Sequence, residues 1–160
     1  MKTEASEILN RDQSILAAVD NSENAERAIH YISDLLGKVP GFDVTILTVV
    51  PEPPADYFEK EAELTSWIEE RRSEATTMLD RYRQILIRSG IAEDRVKTII
   101  DIKECPSVAD CIMERQRQLK CRTVVIGRRG ISKKEEFLFG STSNKIIHSC
   151  EKNCAVWVIE

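Results

Sequence analysis

No zinc site is legible in this chain. Its five cysteines, at positions 105, 111, 121, 150 and 154, include no C-x-x-C pair, and the only histidines are His30 and His148. Such spacing does not build a closed four-ligand site. Reduced, half-buried thiols are the expectation, with pairing of Cys150 and Cys154 under oxidation as the alternative. Long apolar runs are missing too. Nothing approaches the roughly 20 apolar residues of a membrane-spanning helix, and the polar stretch from Met1 to Ser14 lacks the apolar centre of a signal peptide. These absences lead to the expectation of a cytoplasmic protein without a membrane partner. Positive charge is not in excess, the net charge being −4, so no long-range field draws the surface to nucleic acid. Catalytic signatures are absent as well. There is no G-x4-G-K-[ST] loop and no G-x-G-x-x-G, and no serine or cysteine stands with histidine and acid as a triad. His148 falls within a helical pattern, where packing or surface exposure is its ordinary role. No catalytic residue and no metal ligand is assigned.

What is present is a regular alternation. With 160 residues, 42% of them hydrophobic and 31% charged, the chain suits one domain with a sizeable core; a flexible segment over 1–13 and one domain over 14–160 are expected. The apolar run 15–19 predicts a first strand, β1, ending at Asp20. Asn21 and Ser22 offer capping side chains, and Ala25, Ala28, Ile29, Ile32, Leu35 and Leu36 recur at helical spacing. They predict a helix α1 over 22–37. The β-branched run 42–50 predicts β2, closed by Pro51, Pro53 and Pro54. Steps of three and four through Leu64, Ile68, Arg71, Ala75, Met78, Tyr82 and Ile85 predict a long helix α2 over 57–89, its many charges read as a solvated face. β3 is predicted over 95–102. Pro106 suits the first turn of a helix α3 carrying Val108, Ile112 and Leu119, and the charged run 114–122 reads as its outer face. β4 over 123–126, α4 over 141–150 and β5 over 155–159 complete a β-α-β-α-β-α-β-α-β order. That order argues for a mainly parallel sheet with helices on both faces.

The richest stretch begins where β4 ends. Gly127, Gly130 and Gly140 are followed by Ser141, Thr142 and Ser143 at the opening of α4, a spacing of G-x2-G-x9-G-[ST]. Glycines allow a backbone to approach a ligand closely, and the free N–H groups of a helix start favour an anion. Arg128, Arg129, Lys133 and Lys134 supply positive charge for a polyphosphate. Phe137, Leu138 and Phe139 read as an apolar anchor for the loop. Each glycine taken singly favours an ordinary turn, with Ser141 an ordinary N-cap and the basic residues solvated; the full spacing at a strand-to-helix junction favours a phosphate cradle.

Through this motif, and through Ile15–Asn24 and Gly140–His148, the chain resembles the universal stress protein family, in its nucleotide-binding branch, over residues 14–160. The resemblance implies an open five-stranded parallel sheet of order 3-2-1-4-5, of the adenine nucleotide alpha hydrolase-like type. It implies a nucleotide at the reversal between β1 and β4. It further implies that Asp20 lies by ribose and adenine, that Thr48 and Val49 meet the adenine through their backbone, and that Gly127, Gly130, Gly140, Ser141 and Thr142 hold ribose and phosphates. Arg128 and Ser143 join this set by charge and hydroxyl. The implied ligand is ATP, with ADP and AMP as alternatives and with or without Mg²⁺. A homodimer through the apolar last strand, and an unidentified regulatory protein partner, are implied as well. Asn21 stands where the family commonly has glycine, and Ala155 where it commonly has proline. No SGGxDS-type segment follows β1, which argues against an ATP pyrophosphatase. Three functions are therefore carried forward: a nucleotide-dependent regulatory stress-response protein, a slow ATPase or phosphotransferase, and a dimeric scaffold with a vestigial loop.

Overall fold

In a computed structural model the described residues are 13–128, 141–150 and 153–160. The sheet is built outward from β1 (Ser14–Ala18), whose last four residues are buried. A short strand apolar on every side needs cover on both faces and both edges. On one edge it pairs in parallel with β2 (Asp43–Pro51), and on the other with β4 (Thr123–Gly127). β3 (Val96–Lys103) adds to β2 and β5 (Ala155–Ile159) to β4, again in parallel, giving the order β3-β2-β1-β4-β5. This is the expected topology.

The two-residue period of the strands sends alternate side chains to two separate cores. Ile15, Ala17 and Val19, with Val44, Ile46 and Val125, pack against α1 (Glu23–Leu36) and α2 (Glu61–Ser89). Leu16, Ala18, Leu47, Val124 and Ile126 pack instead against α3 (Val108–Leu119) and α4 (Ser141–Ser149). In α1 the buried line is Ala25, Ala28, Ile29, Ile32 and Leu36. Leu35 is 47% exposed, because a turn of 3.6 residues carries it off that line. In α2 only Ala75, Leu79, Tyr82 and Leu86 are buried, so the sheet supports the second half of the helix. Residues 57–60, expected to be helical, precede it. Tyr57 N–H closes a turn on the Pro54 carbonyl at 2.9 Å, and the Tyr57 and Phe58 rings meet edge to face with centroids 4.9 Å apart. Gly90 ends α2 in a left-handed conformation, φ +116°, which glycine adopts without strain. Among the described residues no helix is long and apolar enough to cross a membrane.

Two expectations are corrected. The run 114–122 is not all outer surface: Arg115 reaches back to the buried Asp101 of β3, with Nε to Oδ2 at 3.1 Å and an Nη to Oδ1 at 2.5 Å. Gln116 is buried beside it and donates to the Cys121 carbonyl at 2.5 Å. The carboxylate holds the Arg115 guanidinium above its ordinary pKa; a fork of two parallel bonds is the geometry in which arginine outperforms lysine. The five thiols are not all reduced either. Cys105 and Cys111 are joined by a disulfide, since the turn that enters α3 brings their Cα atoms to 6.0 Å. Cys121, Cys150 and Cys154 are free.

Candidate functional site

β2 outruns its neighbour. The β1–β2 register ends at Ala18 with Leu47, and the β1–β4 register at Ala18 with Ile126, whereas β2 continues to Pro51. β1 leaves the sheet first, so its carboxyl end opens a notch between β2 and β4. This is where the direction of strand addition reverses. A cavity of about 320 Å³ fills the notch, within the range of small-molecule sites.

Its walls come from six elements. Val19 and Asp20 follow β1, while Leu47, Val49 and Pro51 belong to β2. Gly127 ends β4, Val108 and Ile112 come from α3, and Thr142 and Ser143 from the first turn of α4. The cavity is apolar between β2 and α3 and carries hydroxyls toward α4. Ser22 contributes as well; it is the N-cap of α1, its Oγ accepting the Ala25 N–H at 3.1 Å.

Asp20 sits in an ordered turn. Its Oδ1 accepts the Ser22 N–H at 3.1 Å, and its carbonyl accepts the hydroxyl of the fully buried Tyr82 at 3.0 Å. Burial pushes the Tyr82 hydroxyl above its ordinary pKa, so it remains a donor at neutral pH. Tyr82→Phe is expected to cost about 1 kcal/mol of stability, the worth of one such bond, as read by urea denaturation.

Gly127 is glycine for want of room. Among the described residues the glycines with positive φ are Gly41 and Gly90, so no left-handed bend is involved here. A Cβ at Gly127 would lie 2.4 Å from the carbonyl carbon of Asn24, 2.5 Å from its oxygen and 2.7 Å from the Ala25 nitrogen. The end of β4 thus touches the backbone of the first turn of α1. Arg128 continues this seam. Its N–H donates to the Ile159 carbonyl at 2.6 Å and its own carbonyl accepts the Asn24 side-chain amide. Its guanidinium pairs with Glu160 at 2.5 Å. It does not line the cavity.

Of the other residues singled out by sequence, Asp20, Val49, Gly127, Thr142 and Ser143 meet around the cavity. Ser141 opens α4 and is exposed. Thr48 is buried and lines a neighbouring groove of about 810 Å³ that shares Asp20, Val49 and Pro51 with the cavity. α2 closes this groove with Arg71 and Arg81. The Arg71 guanidinium pairs with Glu70 and Glu74 at 3.1 and 3.0 Å, while its Nε is buried without a partner. Gly130, Gly140, Arg129, Lys133, Lys134 and the segment from Phe137 to Phe139 lie outside the described residues. Val108 and Ile112 were legible only as core positions of a helix. Nothing in their spacing says that the first turn of α3 reaches a ligand cavity.

A polar latch ties α3 to α4. The Lys145 ammonium lies 2.7 Å from Asp110 Oδ2 and 3.1 Å from the Ser107 Oγ that caps α3. Hydrogen bonding to Lys145 and then to Ser107 holds the Asp110 carboxyl below its ordinary value of 3.8. A depressed carboxyl favours the folded state above its unfolded pKa and loses that contribution as pH falls through the lower, folded value. The latch is therefore expected to hold at neutral pH and to release only below about pH 3.8. Amide exchange of α4 measured down a pH series should show that acid step, and Lys145→Ala should abolish it.

Residues 13–159 match the model described as the universal stress protein family. No curated protein sequence matches the chain. Among solved structures, UspA from Lactobacillus plantarum superposes with a TM-score of 0.72 at 20% identity, covering 94% of this chain and 99% of that one. A universal stress protein from Archaeoglobus fulgidus in complex with dAMP gives 0.60 at 20% identity, covering 92% and 98%. A universal stress protein family protein from Arabidopsis thaliana with AMP bound gives 0.64 at 14% identity, covering 92% and 90%. At these identities the likeness establishes the fold.

Proposed function

This chain belongs to the universal stress protein family, and from that premise we propose that it binds an adenine nucleotide, ATP foremost, and acts as a nucleotide-dependent regulatory protein of the stress response. The observation that carries the reading is the cavity at the β1–β4 reversal, apolar toward β2 and α3 and hydroxyl-bearing toward α4. A purine is flat and apolar on its faces, and the gap between Val49 of β2 and Val108 and Ile112 of α3 suits it. Asp20, at the cavity wall, suits a ribose hydroxyl. Thr142 and Ser143, with the free N–H groups of the nine-residue helix α4, suit the phosphates. Gly130 and Gly140 complete the motif by sequence. Relatives bound to AMP and dAMP support the same ligand class. Among the described residues no group of three His, Cys, Asp or Glu side chains could hold a metal ion; an accompanying Mg²⁺ would be held chiefly by phosphate oxygens and water.

β5 supports a homodimer. It is one of the sheet's two edge strands, and Val156, Trp157, Val158 and Ile159 are all only half-buried. An apolar edge of this kind pairs readily with a second copy. Light scattering at micromolar concentration is expected to report a dimer, and a monomer would sink that part of the proposal.

The function is tested by denaturing purified protein, identifying any released nucleotide by chromatography, and then incubating refilled protein with ATP and Mg²⁺. Retained adenine nucleotide with negligible ADP formation is the expected result. Steady turnover would favour the slow ATPase instead. Protein that takes up no nucleotide would overturn the proposal and leave a scaffold.

A further inference from the structure

The disulfide spans the part of the chain that connects both walls of the cavity. Between Cys105 and Cys111 lie Ser107, which caps α3; Val108, which lines the cavity; and Asp110, which holds Lys145 of α4. Ile112, the next residue, lines the cavity too. α4 in turn supplies Thr142 and Ser143. Closing or opening this one bond therefore acts on the α3 wall directly and on the α4 wall through the latch.

We propose that Cys105 and Cys111 form a peroxide-sensitive thiol pair whose oxidation tightens the nucleotide cavity. The proposal rests on the nucleotide reading given above. In the oxidising direction a peroxide first converts the Cys105 thiolate to a sulfenic acid. A sulfur–oxygen bond forms, the peroxide O–O bond breaks and, with one proton, water leaves. The Cys111 thiolate then attacks the Cys105 sulfur and displaces the sulfenic oxygen as a second water, so that two thiols and one hydrogen peroxide give one disulfide and two waters. Two glutathione thiols return the two electrons and two protons. Cys105 is only half-buried, whereas Cys111 is 3% exposed in the bonded state, which makes Cys105 the first point of attack. Two of the three remaining thiols compete poorly. Burial pushes Cys121 up, and burial with the Cys150 neighbour pushes Cys154 up to about 12, so the reactive thiolate is scarce at both near neutral pH.

Oxidation acts by preorganisation. Pinning the loop to the first turn of α3 holds Val108 and the Ser107–Asp110–Lys145 latch in place before the ligand arrives, and less ordering then remains for binding. The oxidised form is expected to bind ATP about five- to tenfold more tightly than the reduced form, at the low end of usual coupling between sites.

The test compares wild-type protein treated with hydrogen peroxide or with dithiothreitol. ATP affinity is read by calorimetry, and the thiol state by differential alkylation and mass spectrometry. Peroxide should protect Cys105 and Cys111 from alkylation and lower Kd by that factor. Cys105→Ser, and independently Cys111→Ala, should bind like reduced wild type and ignore peroxide, while Cys154→Ser should respond as wild type does. Cys105 and Cys111 remaining alkylatable after peroxide would overturn the proposal, as would equal affinity of the two forms or a peroxide response that survives in Cys105→Ser. No ATP binding by either form would overturn the nucleotide reading and the gate with it, an outcome distinct from equal binding.

Discussion

Gly127→Ala is expected to damage fold and cavity together. The added Cβ would sit 2.4 Å to 2.7 Å from three backbone atoms of Asn24 and Ala25. Backbone cannot rotate out of the way as the end of a side chain can. Relief requires the first turn of α1 to lift off the end of β4, which would disturb Ala25 in the core and the contact between Asn24 and Arg128. Overpacking against a rigid neighbour typically costs 1–3 kcal/mol, and with backbone on the other side we expect about 3 kcal/mol. For a chain of this size that is a fall in Tm of about 10 °C. Because Gly127, Ser22 and Ala25 all line the cavity, ATP affinity should fall along with stability. Calorimetric melting and ATP titration of the same preparation check both. Wild-type stability would mean that the helix yields at no cost, and would remove close packing as the reason for this glycine.

Val49→Trp separates the site from the fold. Val49 is half-exposed near the end of β2 and lines both the cavity and the adjoining groove. An indole there occupies the room assigned to the purine, while the main-chain register of Val49 with Asp101 stays available. Tryptophan is also well tolerated in strands. Loss of ATP affinity of at least about 50-fold, some 2.3 kcal/mol, is expected, with Tm close to wild type. Unchanged affinity would show that the nucleotide binds elsewhere. The two variants thus differ in kind: Gly127→Ala weakens the frame and the cavity together, and Val49→Trp fills the cavity alone.

Where the sequence reading succeeded and where it stopped follow from the range of the forces involved. The alternation of strands and helices was legible because periodicity is local: Ile15, Ala17 and Val19 on one face and Leu16 and Ala18 on the other need only a two-residue repeat. The break at Gly127 and the hydroxyls of Ser141, Thr142 and Ser143 were legible because glycine and helix-opening residues carry strong local preferences. The inward turn of Arg115 was not. Its partner, Asp101, lies 14 positions away on another element, and the charged run around it has the composition of a solvated face. The pairing of Cys105 with Cys111 was missed for a related reason. A six-residue separation is compatible with many backbone paths, and only the turn through Pro106 into α3 selects the one that brings the two sulfurs together.

Gly127 shows the division most clearly. The sequence by itself determined that a glycine and a run of hydroxyls stand at the junction after β4, that strands and helices alternate, and that the chain has the pattern of the universal stress protein family. Each of these is written in neighbouring residues. Only the tertiary structure decided that this glycine is needed for the closeness of α1, that the Arg128 guanidinium is held by Glu160, and that Val108 and Ile112 of α3 face the same cavity as Val49. These relations join residues from about 30 to more than 100 positions apart, and the crossing of the chain over a twisted parallel sheet, rather than any local preference, sets them.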